Sequence, residues 1–311
     1  MEEILRRIRN SEHLYPECIR CAFNKYSSKY PEGISRAEKV EYMQKVMGML
    51  ANAERSTPIP VIVRDIDKLR FAMFGSADDY SETKKHFNAI LLEQMDVFRE
   101  RIARAKDPLM TAMQLALVGN YIDFGVMSHV DEKFLGELIR DAESKDLDEA
   151  TYRSLKKDLS ESGKLVYLTD NCGEIVLDRL LIEEIKKRYP DLSIRVVVRG
   201  MDTLNDATME DAVQVGLTRM EQIDQVAGNG NNIMGTWFPE ISEEAADLIR
   251  SADVMIAKGQ ANFETMRKCD LNIYYLFLCK CDLYAGLFDV PKMSGMLIND
   301  RDPRNNQSKD R

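Results

Sequence analysis

The chain has 311 residues but a single Trp, three His, nine Pro and no long apolar run. Its longest such run, Ile273 to Cys279, falls far short of the ~20 residues of a membrane-spanning helix, so no membrane partner is expected. The opening MEEILRRIRN lacks the apolar core of a signal peptide, and the expected location is cytoplasmic. Basic residues are in deficit, 43 Lys and Arg against 52 Asp and Glu, giving a net charge of −9. A main affinity for nucleic acid needs clustered cations with little competing acid, so no nucleic-acid partner is expected. His13, His86 and His129 all lie before the β-rich half and are read as structural, which argues against a His-rich zinc centre. Signature motifs are missing too. There is no GxxxxGK[ST] loop and no GxSxG elbow, and Gly228-Asn-Gly230 is not expected to follow a strand with GxGxxG spacing. Kinase, dehydrogenase and acyl-hydrolase chemistry are thereby disfavoured.

Six Cys without an export signal imply reduced thiols. Cys18 and Cys21 form a CxxC with no second CxxC to complete four zinc ligands. Cys279 and Cys281 would complete them only if the fold joins the two ends of the chain. A thioredoxin-type role is disfavoured because this CxxC lies in helical sequence and not after a strand.

What is present is a core-forming composition, 44% apolar, in a length that suits one large or two smaller domains. Residues up to about 150 read as helix. In Arg36 to Ala53, Val40, Met43, Val46, Met47 and Leu50 recur at spacings of three and four. Thr57-Pro58-Ile59-Pro60 interrupts the pattern, which resumes over Val61 to Gly75 and Ser81 to Ala105. Asp107-Pro108 opens a further helix, and Asp131 to Leu155 is charged and helical. From Lys164 the pattern changes to short β-rich runs, Lys164 to Thr169, Ile194 to Arg199, Asp253 to Lys258 and Ile273 to Cys279. Helical stretches at Ile175 to Tyr189 and Ser242 to Ser251 separate them. This alternation predicts an α/β, Rossmann-like three-layer α/β/α domain with a mostly parallel sheet, preceded by an all-helical N-terminal domain. The expected division is 1–106 and 107–311, with a helical lead-in to about 160.

Ligands of open parallel sheets bind beyond the carboxyl ends of the strands, and three of those ends are unusually polar. The first carries Thr169-Asp170-Asn171-Cys172-Gly173-Glu174 and enters a helix, placing oxygen ligands beside amides that favour an anion. Capping alone would also explain Asp170 and Asn171. The second end is Arg199-Gly200, followed by LNDATMEDA with Asp206, which could likewise cap a helix. The third is Lys258-Gly259-Gln260-Ala261-Asn262, and Lys280 follows the next strand; Lys258 and Lys280 could neutralise phosphate oxygens. Carboxylate and amide oxygens without thiolate or imidazole suit a hard divalent cation.

Taken in order, CIRC, GNYIDFG at Gly119 to Gly125, DNCGE at Asp170 to Glu174, RG with LNDATMEDA, and KGQANFET resemble the DUF89 family of metal-dependent damage-control phosphatases. The CxxC makes the chain similar to its microbial CxxC-bearing subfamily; Cys172 departs from the usual Ala of DNAGE. The resemblance implies that Asp170, Asn171 and Asp206 bind a divalent metal, often Mn, Co, Ni or Mg. It also implies that the KGQANFET loop, with Lys258, Gly259, Asn262 and Glu264, contacts phosphate together with Lys280. Asn120 and Asp123 are implied to lie near the same pocket, Gly173 to allow the tight turn, and Glu174 to orient a water at the metal. The implied activity is hydrolysis of phosphomonoesters of small metabolites, such as sugar phosphates or damaged phosphometabolites. Either water or Asp170 itself could be the nucleophile. Two alternatives stand beside it, an S-adenosylmethionine-dependent carboxyl methyltransferase and a non-catalytic phosphometabolite-binding module. The sequence leaves oligomeric state open.

Overall fold

A computed structural model describes residues 1–75, 79–119 and 132–302. Asn120, Asp123 and His129 therefore lie outside the described residues. Among those described, nine helices precede the first strand: α1 (Glu2–Arg9), α2 (Pro16–Tyr26), α3 (Arg36–Ala51), α4 (Ile59–Phe74), α5 (Ser81–Glu93), α6 (Met95–Arg104), α7 (Pro108–Val118), α8 (Glu132–Glu143) and α9 (Glu149–Glu161). The α/β part continues as β1 (Lys164–Leu168), α10 (Glu174–Arg188), β2 (Ser193–Val198), α11 (Met209–Gln214), β3 (Gln225–Gly228), α12 (Glu243–Arg250), β4 (Val254–Lys258), α13 (Gln260–Met266), β5 (Ile273–Leu278), α14 (Asp282–Phe288) and β6 (Gly295–Asn299).

Local chemistry sets the helix ends. Ser35 and Glu38 form a capping box before α3, with Glu38 N donating to Ser35 Oγ at 3.2 Å and Ser35 N donating to Glu38 Oε2 at 2.8 Å. α4 starts at Ile59, two residues earlier than the sequence pattern indicates. Pro60 falls in its first turn, where a missing N–H removes no helical bond. The stretch Ser81 to Ala105 is two helices, α5 ending at Glu93 and α6 starting at Met95, with Gln94 at φ −97° and ψ 0° between them. Asp131 to Leu155 is likewise divided. Asp148 starts a new helix there, its Oδ1 accepting from Thr151 N at 2.7 Å.

The sheet has six strands in the order β3-β2-β1-β4-β5-β6. All pairs are parallel except β5 with β6, in which Tyr274 stands opposite Asn299. The four sequence-predicted strands occupy its centre, and β3 and β6 add its edges. Gly228-Asn-Gly230 stands at the end of β3, a strand the sequence pattern did not show, and lacks GxGxxG spacing as expected. Asn229 Oδ1 there accepts from Gly200 N at 2.8 Å and ties the ends of β2 and β3 together.

β4 and β5 are buried along their whole length, as a sheet covered on both faces requires. One face packs on α7, α9 and α10 through Leu117, Leu155 and Leu181, and the same core takes Phe87, Leu91 and Phe98 from α5 and α6. The other face meets α12, α13 and α14 through Leu248, Phe263 and Tyr284, joined by Ile4 and Ile8 of α1. A third core, around Tyr26, Tyr42, Val46, Ile62 and Ile66, holds α2, α3 and α4 together. Among the described residues no helix is long and apolar enough to cross a membrane.

Candidate active site

β1 and β4 are neighbours at the centre of the sheet, and the order 3-2-1-4-5-6 makes their carboxyl ends the switch point where a crevice opens. Asp170 leaves β1 there, and Gly259 leaves β4 facing it. A Cβ on Gly259 would sit 2.0 Å from Asp170 Oδ2 and 2.6 Å from its Oδ1, and the residue has φ +80°; only glycine lets the two loops approach this closely. Gly173, at φ +70°, makes the sharp turn into α10.

The loop after β2 is laced to the loop after β1. Ala207 N donates to Asp170 O at 2.8 Å, Cys172 N donates to Asn205 O at 2.8 Å, and Asn171 and Asp206 form an antiparallel bridge. Asp170 and Asn171 are thus brought together with Asp206, 36 residues beyond Asp170 in the sequence, and all three are buried. Asn171 Nδ2 donates to Asp170 Oδ2 at 2.7 Å and to Glu174 Oε2 at 3.2 Å. Arg199 Nε donates to Asp206 Oδ2 at 2.7 Å. Burial pushes the Asp170 carboxyl well above the usual carboxylate range, reinforced by the charges of Glu174 and Asp206 and opposed by Arg199 and Lys280. Burial raises Asp206 as well, against Arg199. This pocket concentrates negative charge that a divalent cation would relieve, and its carboxylate and amide oxygens are the donor set a hard cation takes.

Capping does not account for these residues. The N-cap of α10 is Gly173, and no side chain caps that helix. α11 is capped by Thr208 with Asp211, leaving Asp206 for Arg199. The sequence expectation of free amides for an anion at α10 is corrected. Gly173 N donates to Asn88 Oδ1 at 2.6 Å, Glu174 N to Cys172 O at 2.8 Å and Ile175 N to Asn171 O at 3.1 Å. These three amides are therefore engaged within the protein.

Three residues of the KGQANFET loop do other work than the sequence expectation gave them. Lys258 is fully buried, and its Nζ donates to Glu174 Oε1 at 2.5 Å, Asp178 Oδ1 at 2.8 Å and Ala116 O at 2.7 Å. An ammonium has three donors, so none remains for a phosphate. Burial works to lower this ammonium, but Asp178 and Glu174 outweigh it and hold it charged. Glu174 is correspondingly bound to Lys258 and Asn171. Asn262 Nδ2 donates to Thr169 O at 3.1 Å and Lys258 O at 2.7 Å, and its Oδ1 accepts from Thr236 Oγ1 at 2.9 Å, so it clamps the ends of β1 and β4. Glu264 Oε1 accepts from Gln260 Nε2 at 2.7 Å. Lys280 is exposed after β5, its backbone N donating to Gln260 Oε1 at 2.9 Å, and its charge acts on Asp170.

Sequence reasoning missed Arg199 as the partner of Asp206, Asp178 beneath Lys258, and Asn88, which reaches the turn after β1 from α5. Arg199 was visible as a cation closing the β2 run. Asn88 carried no local signal, since its partner lies 85 residues away.

A doubly wound α/β protein with an acid-amide pocket at its switch point is the class these features define. The family model described as the damage-control phosphatase ARMT1-like domain matches residues 14–296, and the chain belongs to that family, DUF89. It is 36% identical over 242 residues to a damage-control phosphatase of Archaeoglobus fulgidus, covering 76% of this chain and 81% of that one. It is 29% identical over 284 residues to a damage-control phosphatase of Pyrococcus horikoshii, covering 89% and 94%. The crystal structure of a DUF89 protein from Pyrococcus horikoshii superposes with a TM-score of 0.74 at 24% identity, over 92% of this chain and 99% of that chain, which shows the shared fold.

Proposed function

We propose that this protein is a metal-dependent phosphatase that hydrolyses phosphomonoesters of small metabolites, sugar phosphates or damaged phosphometabolites among them. The observation that carries this reading is the joining of Asp170, Asn171 and Asp206 in one buried pocket at the switch point, with the cation Lys280 beyond it. The family's name supports the phosphatase half of the reading, and the donor set supports a cation such as Mn, Co, Ni or Mg.

Asp170, Asn171 and Asp206 would hold the cation, which supplies charge neutralisation on a phosphoryl oxygen when bound. Arg199 fixes the Asp206 carboxylate through its Nε, and Asn171 fixes Asp170 through its amide. Lys280, beyond β5, supplies positive charge for the phosphate oxygens. Gly259 leaves the mouth of the site clear beside Asp170.

The test is phosphate release from sugar phosphates and p-nitrophenyl phosphate after chelation and re-addition of Mn, Co, Ni or Mg. Turnover is expected only with metal, and Asp170→Asn is expected to lower it at least about a hundredfold, since even outer partners of metal ligands are worth ~10- to 100-fold. Metal binding without phosphate release from any substrate would instead indicate a binding module.

A further inference from the structure

The hydrolytic reading leaves a group of thiols unused. A cavity of about 760 Å³ opens beside Lys280 and Gln260, between α2 and the first turn of α4 on one side and the starts of α13 and α14 on the other. Cys18, Cys21, Glu264 and Cys281 all line it. The fold has thus joined the CxxC to the distant CxC after all. Among the described residues, however, no three His, Cys, Asp or Glu side chains gather in an arrangement that could hold a metal ion. The pairing of thiols is the feature left to explain.

Cys18 and Cys21 lie in the first two turns of α2, behind Pro16 at its first position. Helix geometry puts Cα atoms three residues apart at about 5 Å, inside the ~4.4–6.8 Å span of a disulfide. Cys21 is exposed, whereas Cys18 is buried against the protein. This asymmetry separates an attacking thiol from a resolving one. Burial and the nearby Glu264 charge push the Cys18 thiol up to about 12, so it needs a base to lose its proton. Glu264 lines the same cavity, and its charge acts on Cys18. Burial pushes its carboxyl up to about 7, opposed by the Gln260 hydrogen bond and the Arg267 charge, which makes it an effective proton acceptor near neutrality. Cys281 and Tyr284 of the α14 segment also feel the Glu264 charge.

We propose that Cys18 and Cys21 are a redox-active dithiol that a small-molecule disulfide oxidises to a disulfide within α2, with Glu264 accepting the Cys18 proton. In the first step Cys21 loses its proton to water and its thiolate attacks one sulfur of the oxidant, breaking the S–S bond and releasing one thiolate that takes up a proton from water. Cys18 then gives its proton to the Glu264 carboxylate, and the Cys18 thiolate attacks Cys21 Sγ. The mixed disulfide breaks, the Cys18–Cys21 bond forms, and a second thiolate leaves and takes up a proton from water. Two protein thiols are oxidised and one external disulfide is reduced to two thiols. The proposal stands apart from the hydrolytic reading, since no step uses Asp170, Asn171 or Asp206.

The test treats the fully reduced protein with glutathione disulfide, quenches it with an alkylating agent and digests it with trypsin. Arg20 lies between the two cysteines, so the disulfide would join the peptides Asn10 to Arg20 and Cys21 to Lys25, and a reductant would separate them. That linked pair is expected in the wild-type protein and in Cys281→Ser, and a persistent glutathione adduct on Cys21 is expected in Cys18→Ser. Should Cys18→Ser fail to fold, Cys21→Ser at the exposed position serves instead, with no linked pair expected. Glu264→Gln is expected to slow closure of the disulfide about tenfold or more, in keeping with the worth of a positioned base. Absence of the linked pair at millimolar glutathione disulfide, a Cys21 link to Cys281, or an unchanged closure rate in Glu264→Gln would each overturn the proposal.

Discussion

His13 shows how one buried side chain sets a pH limit on the fold. Its Nδ1 lies 3.3 Å from Glu264 O and its ring meets Trp237 edge-on at 6.2 Å. Burial, with the Arg267 charge, lowers its imidazole to about 3, against about 6.5 in an unfolded chain. Folding therefore favours neutral His13. Its contribution is complete above pH ~6.5 and is lost as the pH falls, because the unfolded chain takes up the proton first. Between pH 7 and pH 5 this amounts to about 2 kcal/mol. His13→Phe is expected to lack that loss, so urea unfolding free energies of wild type and variant should diverge by about this amount over the interval. Parallel pH curves for the two proteins would refute the assignment. The pocket residues also show what one residue's neighbourhood reveals. Asp170 and Asn171 were legible as polar residues directly after an apolar run, and Asp206 from the polar loop that follows the next run, while their joining comes from the fold. The Arg199 and Asn88 contacts were not, because each depends on which loops the fold brings together.

At the scale of elements, Lys258 is the instructive case. A cation closing a β-strand at a polar rim reads naturally as a phosphate ligand. Side chains alternate across a strand, however, and Lys258 falls on the face covered by α10, where Glu174 and Asp178 wait for it. Asp178 also accepts from Tyr167 OH at 2.7 Å, so four side chains bind β1, β4 and α10 into one unit. Lys258→Met should leave two buried carboxyls without their cation and lower stability by about 3–5 kcal/mol. Chemical denaturation measures this directly; a variant with wild-type stability but weaker substrate binding would restore the phosphate role. The strands themselves were read well where β-rich runs were long. β3 was missed because Gln225-Val-Ala-Gly is four residues with two small side chains, and β6 because it returns antiparallel after Met293 at φ +67°.

For the whole molecule, the site and the fold are coupled. The pocket is made by loops after β1, β2 and β4, and its turn is held from α5 by Asn88. A cation that binds only the assembled pocket must stabilise the entire chain by mass action, by about 2.7 kcal/mol at a hundred times its Kd. The melting temperature should therefore rise with Mn concentration in the wild type and stay flat in Asp206→Asn, as followed by calorimetry. An equal rise in both would place the bound cation elsewhere.

Ile8 of α1 shares a core with Phe238, His13 meets the backbone of Glu264, and Arg267 Nη2 donates to Glu12 O at 3.1 Å across 255 residues. This segment precedes its partners by 251 residues at Glu264 and 255 at Arg267, and is thus among the last to find its place. During synthesis its apolar face stays uncovered until those partners have emerged. Until then that face is open to contact with other apolar surfaces.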